Sequence, residues 1–229
     1  MVTDLASFTA LIWLGFVIVV SVASYGIDRW GTLNESVWSQ ARQAAQWFFL
    51  FLGVYVGSDL LPRYIAHGKT RRDFFIESSL FVAIISAIGA GLATLGWIVE
   101  RALFSVIEVE QTLRESALFD SARDYGMIYL ESLITISVWT LAGLFISTTW
   151  YRNANLVIAA IVAAIVVGAF VELGTGSNLG PMGAIARRYF DPEQPPLAAT
   201  FGIAAVALAA LAALAWMAIR DVPIRNVSA

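Results

Sequence analysis

Cysteine is absent from all 229 residues, and histidine occurs once, as His67. The first absence excludes a disulfide framework, thiol catalysis and thiolate metal sites. The second excludes a multi-histidine metal centre. Charge is scarce as well: 14% of the residues are Asp, Glu, Lys or Arg, where a soluble domain carries about 25%. Apolar side chains fill the space, at 59% of residues and a mean hydropathy of +0.75. This is the composition of a polytopic membrane protein. The net charge of −3 decides little, because in a bilayer the placement of charge outweighs its sum.

A helix crosses the hydrocarbon core with about 20 mostly apolar residues. Six such stretches can be read, at about 8–26, 44–65, 78–99, 127–150, 154–173 and 197–219. They are apolar on all sides, as helices facing lipid and one another should be. The alternating runs of a transmembrane β-barrel, about ten residues each, are not found. The opening "MVTDL" has no Lys or Arg before the first apolar run. A cleavable signal needs a positive start, so that run is read as a retained span. The expected fold is an all-α integral membrane protein, a single transmembrane domain over residues 1–229.

Orientation follows from the loops. The fourteen Lys and Arg residues split evenly between the two sides, but those of one side crowd into short loops. Residues 66–77 hold Lys69, Arg71 and Arg72 just after Arg63, and "YRNA" holds Arg152. Dense Lys and Arg in short loops favour the cytoplasm. Both termini are therefore expected inside, with 66–77 cytoplasmic and 100–126 and 174–196 external. From Arg101 to Tyr125, Val106, Val109, Leu113 and Ala117 recur at helical spacing against Glu108, Glu110, Arg114, Glu115 and Asp124. That pattern predicts an amphipathic surface helix. The Gly- and Pro-rich 174–196 segment predicts a short broken or re-entrant helix, tolerated only inside protein or water.

One stretch asks for explanation. "AHGKTRRDFF", residues 66–75, contains Gly-Lys-Thr, the ending of a phosphate-binding P-loop. The loop also needs a glycine five residues earlier, and that position is Arg63, with Pro62 before it. "GTGSNLGPMG" has no Gly-Lys after it. No nucleotide site is expected in this chain.

Span two runs into "LLPRYIAHGKTRRDFFIESSL", span three runs out through "GWIVERALF", and the end reads "WMAIRDVPIRN". Together these resemble the small membrane subunits of ATP-binding cassette exporters, the ABC type-2 permease family. There the cytosolic turn between spans two and three often reads as an apolar stretch, a small residue or Gly, Thr/Ser-Arg-Arg and an aromatic. The Glu100–Arg101 pair and the Arg-containing turn "YRNA" fit the same pattern. The resemblance covers nearly the whole chain as an arrangement of six spans. It implies that the turn is a short coupling helix docking on a separate ATPase. The docking residues would be His67, Gly68, Lys69, Thr70, Arg71, Arg72, Asp73, Phe74 and Phe75. Arg71 and Arg72 would supply charge, and Phe74 and Phe75 would fill an apolar cleft. The resemblance further implies two ATPase subunits per complex, carrying the ATP and Mg, and a second copy or related permease chain. It places the protein in a plasma membrane, as a bacterial inner membrane subunit. No cofactor in this chain and no nucleic acid are expected. Larger members carry an amphipathic helix before span one; only about seven residues precede it here, so that element is expected to be absent or very short.

Other residues have competing roles. Gly53 and Gly57 form a GxxxG pair, which serves either a dimer seam or packing within one subunit. Gly89, Gly91, Ala93 and Gly96 offer a similar thin face. Asp59 is expected to pair with Arg63 or Arg152, with proton coupling the lesser alternative. Glu131 either lines a path or pairs with Arg101 or Arg123, and Glu172 sits where an outer gate would be. Tryptophans at span ends, such as Trp47 and Trp150, read as an interfacial belt. The basic run has a second reading too, as an anchor to anionic lipid. A non-transporting scaffold or sensor subunit would share all these features. A secondary transporter would show an inverted repeat, and none is visible. A membrane enzyme would need convergent polar residues at one depth, and these are missing.

Overall fold

The computed structural model describes residues 37–106, 118, 119, 121, 123–176 and 195–222, with side chains from residue 46 onward. The expected span at 8–26, most of the amphipathic stretch and the broken-helix segment lie outside the described residues. Everything regular among those described is helical. α1 covers Val37–Tyr55 and passes through a π-helical turn, Val56–Leu60, into α2, Leu61–Ala66. α3 is Arg71–Val106, α4 is Tyr125–Arg152, α5 is Val157–Thr175 and α6 is Leu197–Arg220. Among the described residues, five helices are long and apolar enough to cross a membrane: Gln46–Ala66, Arg71–Val106, Tyr125–Arg152, Ala154–Thr175 and Leu197–Arg220.

Local sequence explains the breaks. Pro62 offers no N–H, and its ring opposes the carbonyl four residues earlier, on Ser58. The π turn widens the helix at this place, a usual remedy for a ladder that cannot be completed. Asp59 and Arg63 pair across it at 2.9 Å, the partner expected from the sequence. Asp124 caps α4 by accepting from the Met127 N–H at 3.4 Å. Asn153 ends α4, and its side chain accepts from the Asn155 N–H at 3.0 Å. Gly176 ends α5 in the left-handed region, at φ 65°. Pro196 precedes α6, where a missing N–H costs nothing.

α4 is the axis of the bundle. It packs against α1, α3, α5 and α6, and its buried positions fall on every side of the helix. Helices hydrophobic all round belong at the centre. Their neighbours turn apolar side chains outward: Phe51 and Tyr55 on α1, Leu80 and Leu95 on α3, Ile158 and Phe170 on α5, Val206 on α6. Such a surface suits hydrocarbon. Trp150, in the last turn of α4, is about half exposed, the place of an interfacial anchor; Trp47, similarly exposed, lies against Trp139 halfway along α4 and so away from either end.

α1 and α4 run parallel and touch backbone to backbone. A Cβ on Gly53 would overlap the Thr140 carbonyl, and one on Gly143 would overlap the Leu50 carbonyl. Gly57 faces Ser147 and Thr148 in the same register. Gly53 and Gly57 thus pack against α4 within one chain, the second of the two readings given above. Gly89 receives the Phe49 ring, whereas Gly91 faces open space.

α3 is longer than its expected span. Its 36 residues rise about 54 Å, well beyond a hydrocarbon core of about 30 Å. It begins at Arg71, seven residues before the apolar run, and continues to Val106. No separate helix lies between α2 and α3. The expected short coupling helix is instead a turn at 67–70 followed by the first two turns of α3.

Candidate functional site

The α2–α3 corner is built by two caps in succession. Gly68 adopts φ 74°, a conformation costly to residues with a Cβ. This lets its N–H reach the Ile65 carbonyl at 3.0 Å, while the Lys69 N–H reaches that of Tyr64 at 3.1 Å. The pair of bonds is a Schellman motif closing α2. Thr70 then opens α3. Its hydroxyl accepts from the Asp73 N–H at 3.1 Å, and the Asp73 carboxylate accepts from the Thr70 N–H at 3.1 Å and hydroxyl at 2.7 Å. That is a reciprocal capping box. Gly-Lys-Thr is thus helix stop, spacer and helix start. All three of its N–H groups are engaged within the chain, where a P-loop would aim them at phosphate. Gly68→Val is expected to cost about 1–2 kcal/mol and Thr70→Ala about 1 kcal/mol. Thermal unfolding in detergent, read by tryptophan fluorescence, measures both.

Side chains brace the corner from within. The Phe74 ring is 2% exposed and meets Tyr64 edge-on at 5.4 Å. The Tyr64 hydroxyl donates to Glu77 at 2.6 Å, and Lys69 stands 3.7 Å from the same carboxylate. His67 Nδ1 lies 2.7 Å from the Arg63 carbonyl; a carbonyl only accepts, so Nδ1 carries the proton. Phe75 packs on Trp216 of α6 with ring centres 5.2 Å apart. Arg71 is half-buried, and its Nε and Nη2 both donate to the Val222 carbonyl, at 3.1 and 2.7 Å.

The expected docking residues thus divide. His67, Gly68, Lys69, Thr70 and Arg72 are exposed, with Arg63 beside them. Asp73 caps a helix, Arg71 holds the end of α6, and Phe74 is enclosed by its own chain. The expectation that Phe74 fills a partner's cleft is corrected accordingly; of the two rings, only Phe75 keeps accessible surface. What remains outward on this rigid turn is a basic rim of Arg63, Lys69 and Arg72, the first two paired with Asp59 and Glu77.

The sequence reading overlooked the end of α6, which lies against this corner. Arg152, the last residue of α4, donates to the Met217 carbonyl at 3.0 Å and pairs with Asp221 at 3.3 Å. The available signal was a set of opposite charges, Arg71, Arg152 and Asp221, each at the end of a span. The expected path and gate residues lie elsewhere. Glu131 is 1% exposed and Glu172 5%. Both are buried among the described residues of the bundle. Arg101, one expected partner of Glu131, donates to the Tyr125 hydroxyl at 3.0 Å and ties α3 to α4 at the end opposite the corner.

Between α5 and α6, toward that opposite end, lies an apolar groove of about 570 Å³, bordered by Val167, Phe170, Gly202, Ile203 and Val206. No family model matches the sequence, and no curated protein or solved structure shows significant similarity to it.

Proposed function

We propose that this chain is the membrane-spanning permease subunit of an ATP-driven exporter of the ABC type-2 class, docking on separate ATPase subunits through the exposed rim of the α2–α3 corner. One observation carries the reading. The corner is capped on both sides, braced by its own aromatic rings, and presents Lys69 and Arg72 outward. A surface that transmits motion needs this combination of stiffness and accessible charge. A partner with an acidic rim would be recognised by it, and electrostatic complementarity would give the pairing its specificity.

In this reading the corner faces the cytoplasm of a plasma membrane, bacterial and inner, and both chain ends lie on that side. A sixth span at 8–26 completes the bundle. Two permease chains, alike or related, enclose a path above two ATPases, which bind the ATP and Mg. Closure of the ATPase pair displaces the corners, and ATP drives the cycle because it binds one arrangement better than the other. A path walled by these mostly apolar spans would suit an amphipathic or lipid-like cargo more than an inorganic ion.

The test is purification of the tagged chain from its own host in mild detergent, with identification of what accompanies it and an assay of ATP turnover. Copurification of an ATPase supports the proposal. Its absence, under conditions that preserve other membrane complexes, removes it. Binding to anionic vesicles in that case would make the cationic rim a lipid anchor.

A further inference from the structure

We infer that the corner-side end of α6 is a moving part of the docking platform, linked to the corner through Arg71, so that displacement of residues 67–72 is delivered to α6. The inference rests on the docking role proposed above.

The last turn of a helix leaves carbonyls without intrahelical partners, and cations are favoured beside them. Here Arg152 occupies that position, and Arg71 holds the chain just past the helix end. Arg71, the first residue of α3, places two N–H groups on the Val222 carbonyl. Arg152, the last residue of α4, reaches the Met217 carbonyl and the Asp221 carboxylate. The Phe75–Trp216 ring contact adds an apolar bond between α3 and α6 one turn further in. The forked, planar donor of Arg71 makes a stiff link, because two N–H groups meeting one oxygen restrict its orientation more than a single donor does.

Along the rest of its length α6 packs on α4 and α5. Its buried positions include the small residues Ala204, Ala207, Ala215 and Ala218, and those of α5 include Ala160, Ala164 and Gly168. The Thr200 hydroxyl donates to the Gly174 carbonyl at 2.7 Å near the far end. Smooth seams of this kind permit the small sliding of one packed helix past another. Beyond the seam lies the groove between α5 and α6. A helix gripped at one end and smooth along its side is suited to carry a displacement toward that groove.

The absence of cysteine makes the test clean. The full chain in lipid nanodiscs carries spin labels at Ile76→Cys on α3 and Arg220→Cys on α6, and pulsed electron resonance gives the distance distribution. A narrow distribution is expected, at least doubling in width when Arg71→Gln is added; Arg71→Lys, which keeps the charge and loses the fork, is expected to broaden it less. An unchanged width in both variants overturns the link. In the complex with the copurified ATPase, a second pair, Val162→Cys and Arg220→Cys, is expected to shift by several ångströms on adding ATP and Mg. Arg71→Gln should abolish that shift while retaining the ATPase. Loss of the ATPase in Arg71→Gln would make Arg71 a docking contact and overturn its role as a relay. If no ATPase accompanies even the unmutated chain, the exporter proposal fails, and the width measurement still decides whether the link exists.

Discussion

Gly53→Ala and Gly143→Ala are each expected to remove the folded, monodisperse state of the purified protein. In both cases the added methyl meets a backbone carbonyl of the facing helix, Thr140 for one and Leu50 for the other. Overpacking a core where side chains can shift costs about 1–3 kcal/mol. Backbone cannot shift without separating the two helices, so the cost should exceed that range. A loss beyond about 3 kcal/mol takes a large share of a typical total stability of about 5–15 kcal/mol, and helices forced apart expose the faces they bury. The controls come from the same chain. Cβ atoms at Gly91 and Gly202 would meet nothing within 4 Å. Gly91→Ala and Gly202→Ala should therefore match or slightly exceed the parent in thermal stability, since Ala is the better helix former by up to about 1 kcal/mol. Size-exclusion chromatography and thermal melts in detergent read all four. A dimer-seam role for Gly53 would give a folded monomer and a lost dimer, and that outcome would refute the packing argument.

Reversing the charge of the corner, by Lys69→Glu with Arg72→Glu, is expected to reduce ATPase copurification by at least a hundredfold. Both side chains are exposed. Neutralising an exposed pair changes little, about 0.2–1 kcal/mol, so Lys69→Gln with Arg72→Gln should weaken the complex only modestly. Reversal juxtaposes like charges across the interface at a cost of several kcal/mol, and each 1.4 kcal/mol is about tenfold in affinity. The reversed variant should still fold, because neither side chain lies in the buried core. Its chromatographic profile checks this. Salt provides an independent readout: raising ionic strength should weaken the unmutated complex, as expected of exposed charge. Copurification indifferent to both reversal and salt would remove the cationic rim from any docking role.

Much of this architecture was legible in the sequence. Long apolar runs with few charges can only be satisfied as helices in hydrocarbon, because every backbone polar group must bond within its own segment. Five of the six expected spans therefore have counterparts among the described helices, and 8–26 lies outside them. Asp59 with Arg63, four residues apart, marked a pair on one face, whereas the expected span at 44–65 ran through Pro62 without the break that its missing N–H imposes. Gly68 and Thr70 could be excluded from a P-loop by counting alone. Their actual roles, a Schellman glycine and a capping threonine, also follow a local pattern, Gly at a helix end and Thr-x-x-Asp at the next start. The resemblance to permeases drew attention to charge and left that punctuation unread.

The tertiary structure decided what local patterns leave open. A GxxxG pair specifies a thin helix face without naming the helix that meets it; the partner proved to be α4 of the same chain. Aromatic and basic residues in one short run look equally available in sequence. Only the packing of α6 against the corner turned Arg71 toward Val222, while Tyr64 enclosed Phe74 and Lys69 and Arg72 stayed outside. Glu131 and Glu172 were read from their depth along a span, yet it was rotation about the helix axis, set by neighbours distant in sequence, that turned them inward. Hydropathy is a property of each segment by itself and so is written in the sequence. The choice of contact faces belongs to all the helices at once and appears only when they are packed.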